Sequence, residues 1–252
     1  MISIESQIML CIKKNQEIWI LFLQNIQRWM YKVEMVRKTR EDALKTRTLL
    51  LDAAEQVFFD QGFASTSLED VARAASVTRG AIYWHFKNKF DLFAAMVERV
   101  RLPIESLADG AACESQDPLG QLRELIVRIL RETATNARRR RVLTIVFHRC
   151  ELVGDAGGMD TRQRLAFMDC TRRIEQSLGK AVAGGQLPAN LDAQRAALAL
   201  HAYVTGLISN WLFLPSAFDL ADQAESFADA GISMVKSGVG LELQSSPVKN
   251  VS

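Results

Sequence analysis

Residues 66–89 read TSLEDVARAASVTRGAIYWHFKNK, and the spacing of apolar and small residues in this stretch decides the fold. Leu68, Val71, Ala72 and Ala75 recur at three- and four-residue steps, which predicts a short amphipathic helix. The four residues Thr66-Ser67-Leu68-Glu69 in front of it fit a capping box, with Thr66 accepting an amide of the first turn and Glu69 reaching back. This helix ends near Ser76, and Thr78 is placed to cap a second one over Arg79 to Phe86. Two short helices joined by a tight turn are a helix-turn-helix, whose second helix enters the major groove of DNA.

The side chains of that second helix suit a polyanion better than a core. Tyr83, Trp84 and His85 stand side by side among Arg79, Lys87 and Lys89, and no acid occurs between Val71 and Phe90, a segment that also carries Arg73. Arg79 offers a bidentate fork to a guanine edge, while Thr78 and the amides at the helix start can hold phosphate. Tyr83 and His85 can donate to backbone oxygens, and Lys87 and Lys89 supply counter-charge. Gly80 and Ala81 are small enough to let the backbone approach the groove; Ile82 and Phe86, four apart, face the helical core. A helical hairpin alone would not need an acid-free surface, so double-stranded DNA is the expected partner. Arg37, Lys38, Thr66, Ser67 and Trp84 complete the expected DNA contact set.

Composition sets limits around this motif. The chain has 252 residues, 48% hydrophobic, with a formal charge of +2, so a local patch rather than global charge must carry nucleic-acid binding. Its four cysteines, Cys11, Cys113, Cys150 and Cys170, form no CxxC pair, which argues against zinc and a disulfide framework. No cofactor or metal is expected. His148 and Cys150 are two apart and face apart on a helix, so they make no nucleophile pair, and no enzyme activity is expected.

Residues 1–34 differ in composition from the rest, with no Ala, Gly, Pro, Thr or Asp. Their longest apolar run, Ile18 to Leu23, is six residues, far short of the roughly 20 needed to span a bilayer. Met35 opens MVRKTRED and reads as a plausible natural start, with 1–34 as an upstream extension. Residues 39–63 then carry the stripe Leu50, Ala53, Ala54, Val57 and Phe58, closed by Gly62.

Helical periodicity continues to the end of the chain, giving an all-α fold. It places a DNA-binding domain of three helices at 35–90, a second helical domain at 91–237 and a disordered tail at 238–252. Asn88 caps a fourth helix, interrupted near Pro103. A loop is expected at 110–120, two helices meet near Asn136, and a second loop falls at 154–158. The remaining helices are expected at 161–185, 191–214 and 218–236. Arg138–Arg141 point in four directions on a helix; at its N-terminus they oppose the macrodipole, so a carboxylate partner is expected nearby.

The stretches MVRKTRED, VTRGAIYWHFKNK, AGGQLP (183–188) and AYVTGLISNWLFLP (202–215) resemble the TetR family of bacterial one-component repressors, most closely the subgroup controlling multidrug efflux pumps. The likeness runs from Met35 to about Lys236. One departure is Ser76, where many members have glycine; if the turn needs positive φ, serine costs ~1 kcal/mol there. The resemblance implies a homodimer formed by the last two helices, for which Ala196, Ala199, Ala202, Gly206, Gly231 and Met234 are small or flexible enough to permit close approach. It also implies a ligand cavity for small hydrophobic or aromatic molecules. Its expected lining is Leu125, Ile129, Leu143, Phe147, Phe167, Cys170, Ile174, Val204, Leu207 and Trp211, with Thr144, His148 and Asn210 as polar groups. The expected function is a cytoplasmic repressor of an efflux-pump operon, released from its operator by such ligands, with no membrane association. A thiol-redox regulator using Cys150 or Cys170 is the alternative.

Overall fold

A computed structural model of the chain describes residues 41–100, 117–150 and 159–243, and it divides into two compact units, residues 1–50 and 51–252. Residues 1–40, with Arg37, Lys38 and Met35, lie outside the described residues, as do the Pro103 interruption and the 154–158 loop. In the first unit, residues 41–50 are helical.

The second unit opens with α1, residues 51–61, followed by α2 (Leu68–Ala74), α3 (Arg79–His85) and α4 (Lys89–Glu98). Gly62 closes α1 at φ +82°, a backbone that costs glycine nothing. Phe58, Phe63 and Phe93 pack edge-on or tilted at 5.0–6.2 Å between centroids, and Leu68, Val71, Ile82, Phe86, Leu92 and Met96 are buried with them. Burying such a side chain stabilises by about 1.5–3 kcal/mol, so this small core helps to fix α3.

The capping box sits one residue further along than the sequence suggests. Ser67, not Thr66, is the N-cap of α2: its hydroxyl accepts from the Asp70 amide, and the Asp70 carboxylate takes the Ser67 amide. Thr66 is buried instead and donates to the Gly62 carbonyl at 2.7 Å, helping to close α1. Burial of the threonine methyl fixes the register, and Glu69 is released from the capping role. Ser76 follows α2 at φ +55°, with Ser76 N–H donating to Arg73 O and Val77 N–H to Ala72 O, the paired bonds of a left-handed helix end. The turn therefore survives with serine in a conformation that favours glycine.

The remaining helices are α5 (Pro118–Thr135), α6 (Ala137–Thr144, continued by a π-helical turn Ile145–Arg149), α7 (Met159–Ala183), α8 (Ala193–Phe213) and α9 (Ala224–Ser237). The start of α5 corrects the expected 110–120 loop: Asp117 caps it, accepting from the Gly120 amide, and Pro118 occupies its first turn, where a missing N–H costs nothing. The start of α9 is later than 218 because the Asp219 carboxylate accepts from the Ala221 and Asp222 amides and holds a turn. Residues 238–243, expected to fray, are tied down: Asp192 N–H donates to Leu241 O, Leu243 N–H to Asn190 O, and Leu191 bridges Glu242.

Faces of α5, α7, α8 and α9 bury one cluster around Leu122, Ile126, Leu130, Leu178, Leu200 and Ile232. Arg123 pairs bidentately with Asp229 at 2.6 and 3.1 Å, and Arg131 with Glu225 at 2.6 Å, clamping α5 to α9. Helix α8 is long and apolar enough to cross a membrane by length and composition, and one face of it, with Ala196, Ala197, Leu200, Ile208 and Trp211, is buried in this cluster.

Candidate nucleic-acid interface

Helix α3 lies with Ile82 buried and its other face open. Arg79, Gly80, Tyr83 and Trp84 are exposed, Trp84 to 73%, and a Cβ on Gly80 would meet nothing closer than the Thr78 hydroxyl at 3.9 Å. Thr78 caps the helix, its Oγ1 accepting from the Ala81 amide at 3.2 Å; Ala81 is half-buried behind it. His85 is half-buried and stacks edge-on against Trp84 at 4.6 Å. Lys87 is exposed at the C-terminal end. The structure thus brings Thr78, Arg79, Gly80, Tyr83, Trp84 and Lys87 onto one side, and an exposed indole there has no role in the protomer's own core.

Three of the expected DNA contacts are corrected. The Lys89 ammonium donates to the carbonyls of Phe63 (2.7 Å), Ala64 (3.1 Å) and Thr66 (2.7 Å) and lies 4.5 Å from the Phe63 ring centroid. All three of its protons are used in closing the α1–α2 turn, so it is a cap and not a phosphate contact. Burial accordingly holds its pKa below the ordinary lysine value. Thr66 is buried, and the Ser67 hydroxyl donates to Asp70 at 2.6 Å, so neither is left to meet a phosphate.

One residue on this face was expected only to cap. Glu69 Oε1 accepts from the Tyr83 hydroxyl at 3.0 Å and pairs with Arg79 Nε at 3.1 Å, and the Arg79 guanidinium lies 5.6 Å from the Tyr83 ring centroid. The Glu69 carboxyl is held below the usual range by its own backbone amide, by the Tyr83 bond and by Arg79. An acidic pair, Glu69-Asp70, directly before a run without acids was the available signal.

The arginine run at 138–141 finds the expected carboxylates on α1. Arg138 donates to Asp52 at 2.8 Å and approaches Glu55 at 3.1 Å; Arg99, just after α4, donates to the same Asp52 oxygen at 2.7 Å, and Arg141 stands 3.9 Å from Glu55. Arg139 donates to the Val100 carbonyl at the end of α4 and Arg140 covers the Trp211 ring. Glu55 is 1% exposed, and burial raises its carboxyl pKa against the pull of Arg138 and Arg99. At the far end of α6 the Arg149 carbonyl accepts from the Phe63 amide at 2.9 Å. Helix α6 is therefore joined at both ends to the helices that carry the DNA-facing surface.

The expected ligand lining is only partly assembled. Leu125, Ile129, Leu143, Ile174 and Val204 are half-buried against the main cluster, and Cys170 and Leu207 are half-buried as well. Trp211 is core, 6% exposed, whereas Phe147, Phe167, His148 and Asn210 are exposed; the His148 ring nitrogen meets the Ser209 carbonyl at 3.1 Å. Thr144 donates to Arg140 O. An open depression of about 300 Å³ between α7 and α8 is lined by Phe167, Met168, Thr171, Arg172, Glu175, Gln194 and Leu198, and shares only Phe167 with the expected set.

Of the expected dimer residues, Ala196 and Gly231 are corrected. Ala196 is fully buried in the protomer, and a Cβ on Gly231 would meet Leu200 Cδ1 at 3.0 Å and Tyr203 Cε1 at 3.1 Å, so both serve contacts within the chain. Ala202 is exposed, Ala199, Gly206 and Met234 are half-buried, and nothing lies within 4 Å of a Cβ on Gly206. Burial pushes the Cys150 thiol pKa up, away from the thiolate that redox sensing needs. Among the described residues no group of three metal-ligating side chains occurs.

Comparison with known proteins matches two stretches of the chain to family models. Residues 50–96 match the family described as bacterial regulatory proteins, tetR family, and residues 117–237 match the MAATS-type transcriptional repressor, C-terminal region. The chain is 42% identical over 203 residues to the HTH-type transcriptional regulator TtgR of Pseudomonas putida, covering 80% of this chain and 97% of that protein. It superposes with a TM-score of 0.70 and 38% identity on the crystal structure of NalD, the secondary repressor of the MexAB-OprM multidrug efflux pump in Pseudomonas aeruginosa, covering 77% of this chain and 96% of that one. A SmeT–triclosan complex superposes with a TM-score of 0.68 and 33% identity, covering 81% and 99% respectively. With its exposed reading helix, its helical C-terminal bundle and these likenesses, the chain belongs to the TetR family of bacterial transcriptional regulators.

Proposed function

We propose that this chain is a homodimeric, cytoplasmic repressor of an efflux-pump operon, released from its operator by hydrophobic or aromatic ligands. The observation that carries the reading is the open face of α3, where Arg79, Tyr83 and Trp84 stand exposed on a helix whose opposite side is locked into a core. Residues 35–90 read DNA, and residues 91–237 bind the ligand and the second copy. Arg79 reads a base edge, Lys87 neutralises phosphate, and Tyr83 and Trp84 pack against the backbone.

A dimer is needed because one helix-turn-helix reads one half-site. Ala199, Ala202, Gly206 and Met234 on α8 and α9 form the close-approach part of that interface, flanked by Leu198 and the 79% exposed Phe213. The ligand is assigned to the region of the half-buried Leu125, Ile129, Leu143, Cys170, Ile174, Val204 and Leu207. Triclosan on SmeT is the kind of molecule expected. Such a ligand converts a 99:1 population to 1:99 only if it prefers the released state by about 5.5 kcal/mol. No reaction is assigned, since TetR-family proteins are regulators. The test is fluorescence anisotropy of a duplex from the region upstream of the protein's own gene, with and without triclosan. Tight, salt-dependent binding weakened by the drug supports the reading; binding indifferent to DNA sequence removes it.

A further inference from the structure

Helix α2 carries its capping box on Ser67 and Asp70, and the half-buried Glu69 lies outside that box, its carboxylate meeting its own backbone amide as well as the reading helix. Its single oxygen Oε1 meets two groups of the reading helix, the Tyr83 hydroxyl at 3.0 Å and Arg79 Nε at 3.1 Å. The guanidinium is in turn stacked over the Tyr83 ring. A free arginine side chain samples many rotamers, and each must be frozen out when it docks on a base. Here the Nε edge is already engaged, which leaves the two terminal amino groups of a 73% exposed side chain to form the fork that matches guanine O6 and N7.

The same carboxylate is a negative charge beside a surface that meets phosphates, where it opposes every DNA sequence equally. We propose that Glu69 is a specificity-determining positioning residue: it holds Arg79, through its Nε and through Tyr83, in the rotamer that reads a guanine, while its charge weakens binding to every DNA sequence alike. This rests on the DNA-reading assignment of α3. Discrimination is thereby gained at the cost of raw affinity, by a residue that touches no base itself.

The two effects separate in a comparison of Glu69→Ala and Glu69→Gln. Both remove the charge, but glutamine keeps an oxygen acceptor for Tyr83 and Arg79. Binding is measured to the footprinted duplex from upstream of the gene and to its scrambled counterpart, across a salt series, with thermal unfolding read alongside. Both variants should bind scrambled DNA more tightly than the parent. A bidentate arginine–guanine pair discriminates by roughly 5- to 150-fold, so loss of its brace in Glu69→Ala should lower the operator-to-scrambled ratio by about three- to tenfold, with Glu69→Gln retaining part of it. In an Arg79→Ala background, Glu69→Ala should leave the ratio unmoved, because the group it positions is gone. A ratio unchanged by both Glu69 variants overturns the proposal, as does an equal loss in the Arg79→Ala background. Should the parent protein itself show no preference for the operator duplex, the DNA-reading assignment fails first, and that outcome is visible without any variant.

Discussion

Lys89 is where the sequence and the structure assign different work to one side chain, and replacing it separates them. Its position in an acid-free basic stretch suggests a phosphate contact; its three bonds to Phe63, Ala64 and Thr66 carbonyls make it the closure of the α1–α2 turn. A hydrogen bond to a charged group contributes about 1.5–3 kcal/mol, so three represent a large gross term. Two effects reduce it. The carbonyl of the exposed Ala64 regains water when the ammonium leaves, and the cost of desolvating the ammonium, which depresses its pKa, is no longer incurred. The carbonyls of Phe63 and Thr66 belong to buried residues and regain less. The net expectation for Lys89→Met, which keeps apolar length over the Phe63 ring, is a loss of about 2–4 kcal/mol. At about 2–4 °C per kcal/mol for a domain of this size, the Tm falls by roughly 4–16 °C at fixed protomer concentration. The assay is thermal unfolding followed by circular dichroism, paired with operator binding below the transition across a salt series. A cap lowers Tm and leaves the salt slope alone. An unchanged Tm with a slope reduced by ~1 would refute the reasoning and return Lys89 to the phosphate backbone.

Ser76→Gly should stabilise by about 1 kcal/mol, because Ser76 sits at φ +55° with a Cβ that this backbone disfavours; urea unfolding that shows no gain would mean the turn relaxes at no cost. Gly231→Ala should destabilise by about 1–2 kcal/mol without altering dimerisation, since the added methyl meets Leu200 and a Tyr203 ring pinned by its hydroxyl bond to Phe227 O. Ala202→Asp, on the exposed side of α8, should leave the protomer folded but shift sedimentation from dimer to monomer, because an interface would bury its unpaired charge. Asp229 and Asp117 have pKa values held below the usual range, Asp229 by Arg123 and Asp117 by the Gly120 amide and Gln186. Their contribution is complete above the ordinary aspartate pKa of about 4 and is lost as pH falls through the depressed values, so Asp229→Asn should flatten the acid limb of a stability–pH curve.

The helices were legible because their signals are local. The Asn88 and Thr78 caps, the break at Asn136 and the glycine closing α1 all follow from a few neighbouring residues. What was not legible depends on packing across long separations. Nothing near Lys89 shows that the carbonyls of residues 63–66 converge on it, and nothing near Glu55 shows that Arg138 will arrive from α6. The one-residue slip of the capping box has the same origin: Thr66 and Ser67 are equivalent as caps until tertiary burial claims Thr66. Small residues on α8 and α9 carry a further ambiguity, since close approach within a chain and between chains asks for the same side chains. Ala196 and Gly231 went inward and Ala202 outward.

Specific recognition by the open face of α3 is the claim on which the rest depends, and it is tested most directly by a footprint of the purified protein on the DNA upstream of its own gene, repeated with Arg79→Ala. The account predicts a protected sequence with two-fold symmetry, which Arg79→Ala loses together with preference at one base pair in each half-site, at a cost of about 1–3 kcal/mol. Protection that persists unchanged in Arg79→Ala, with the same sequence preference, would contradict it.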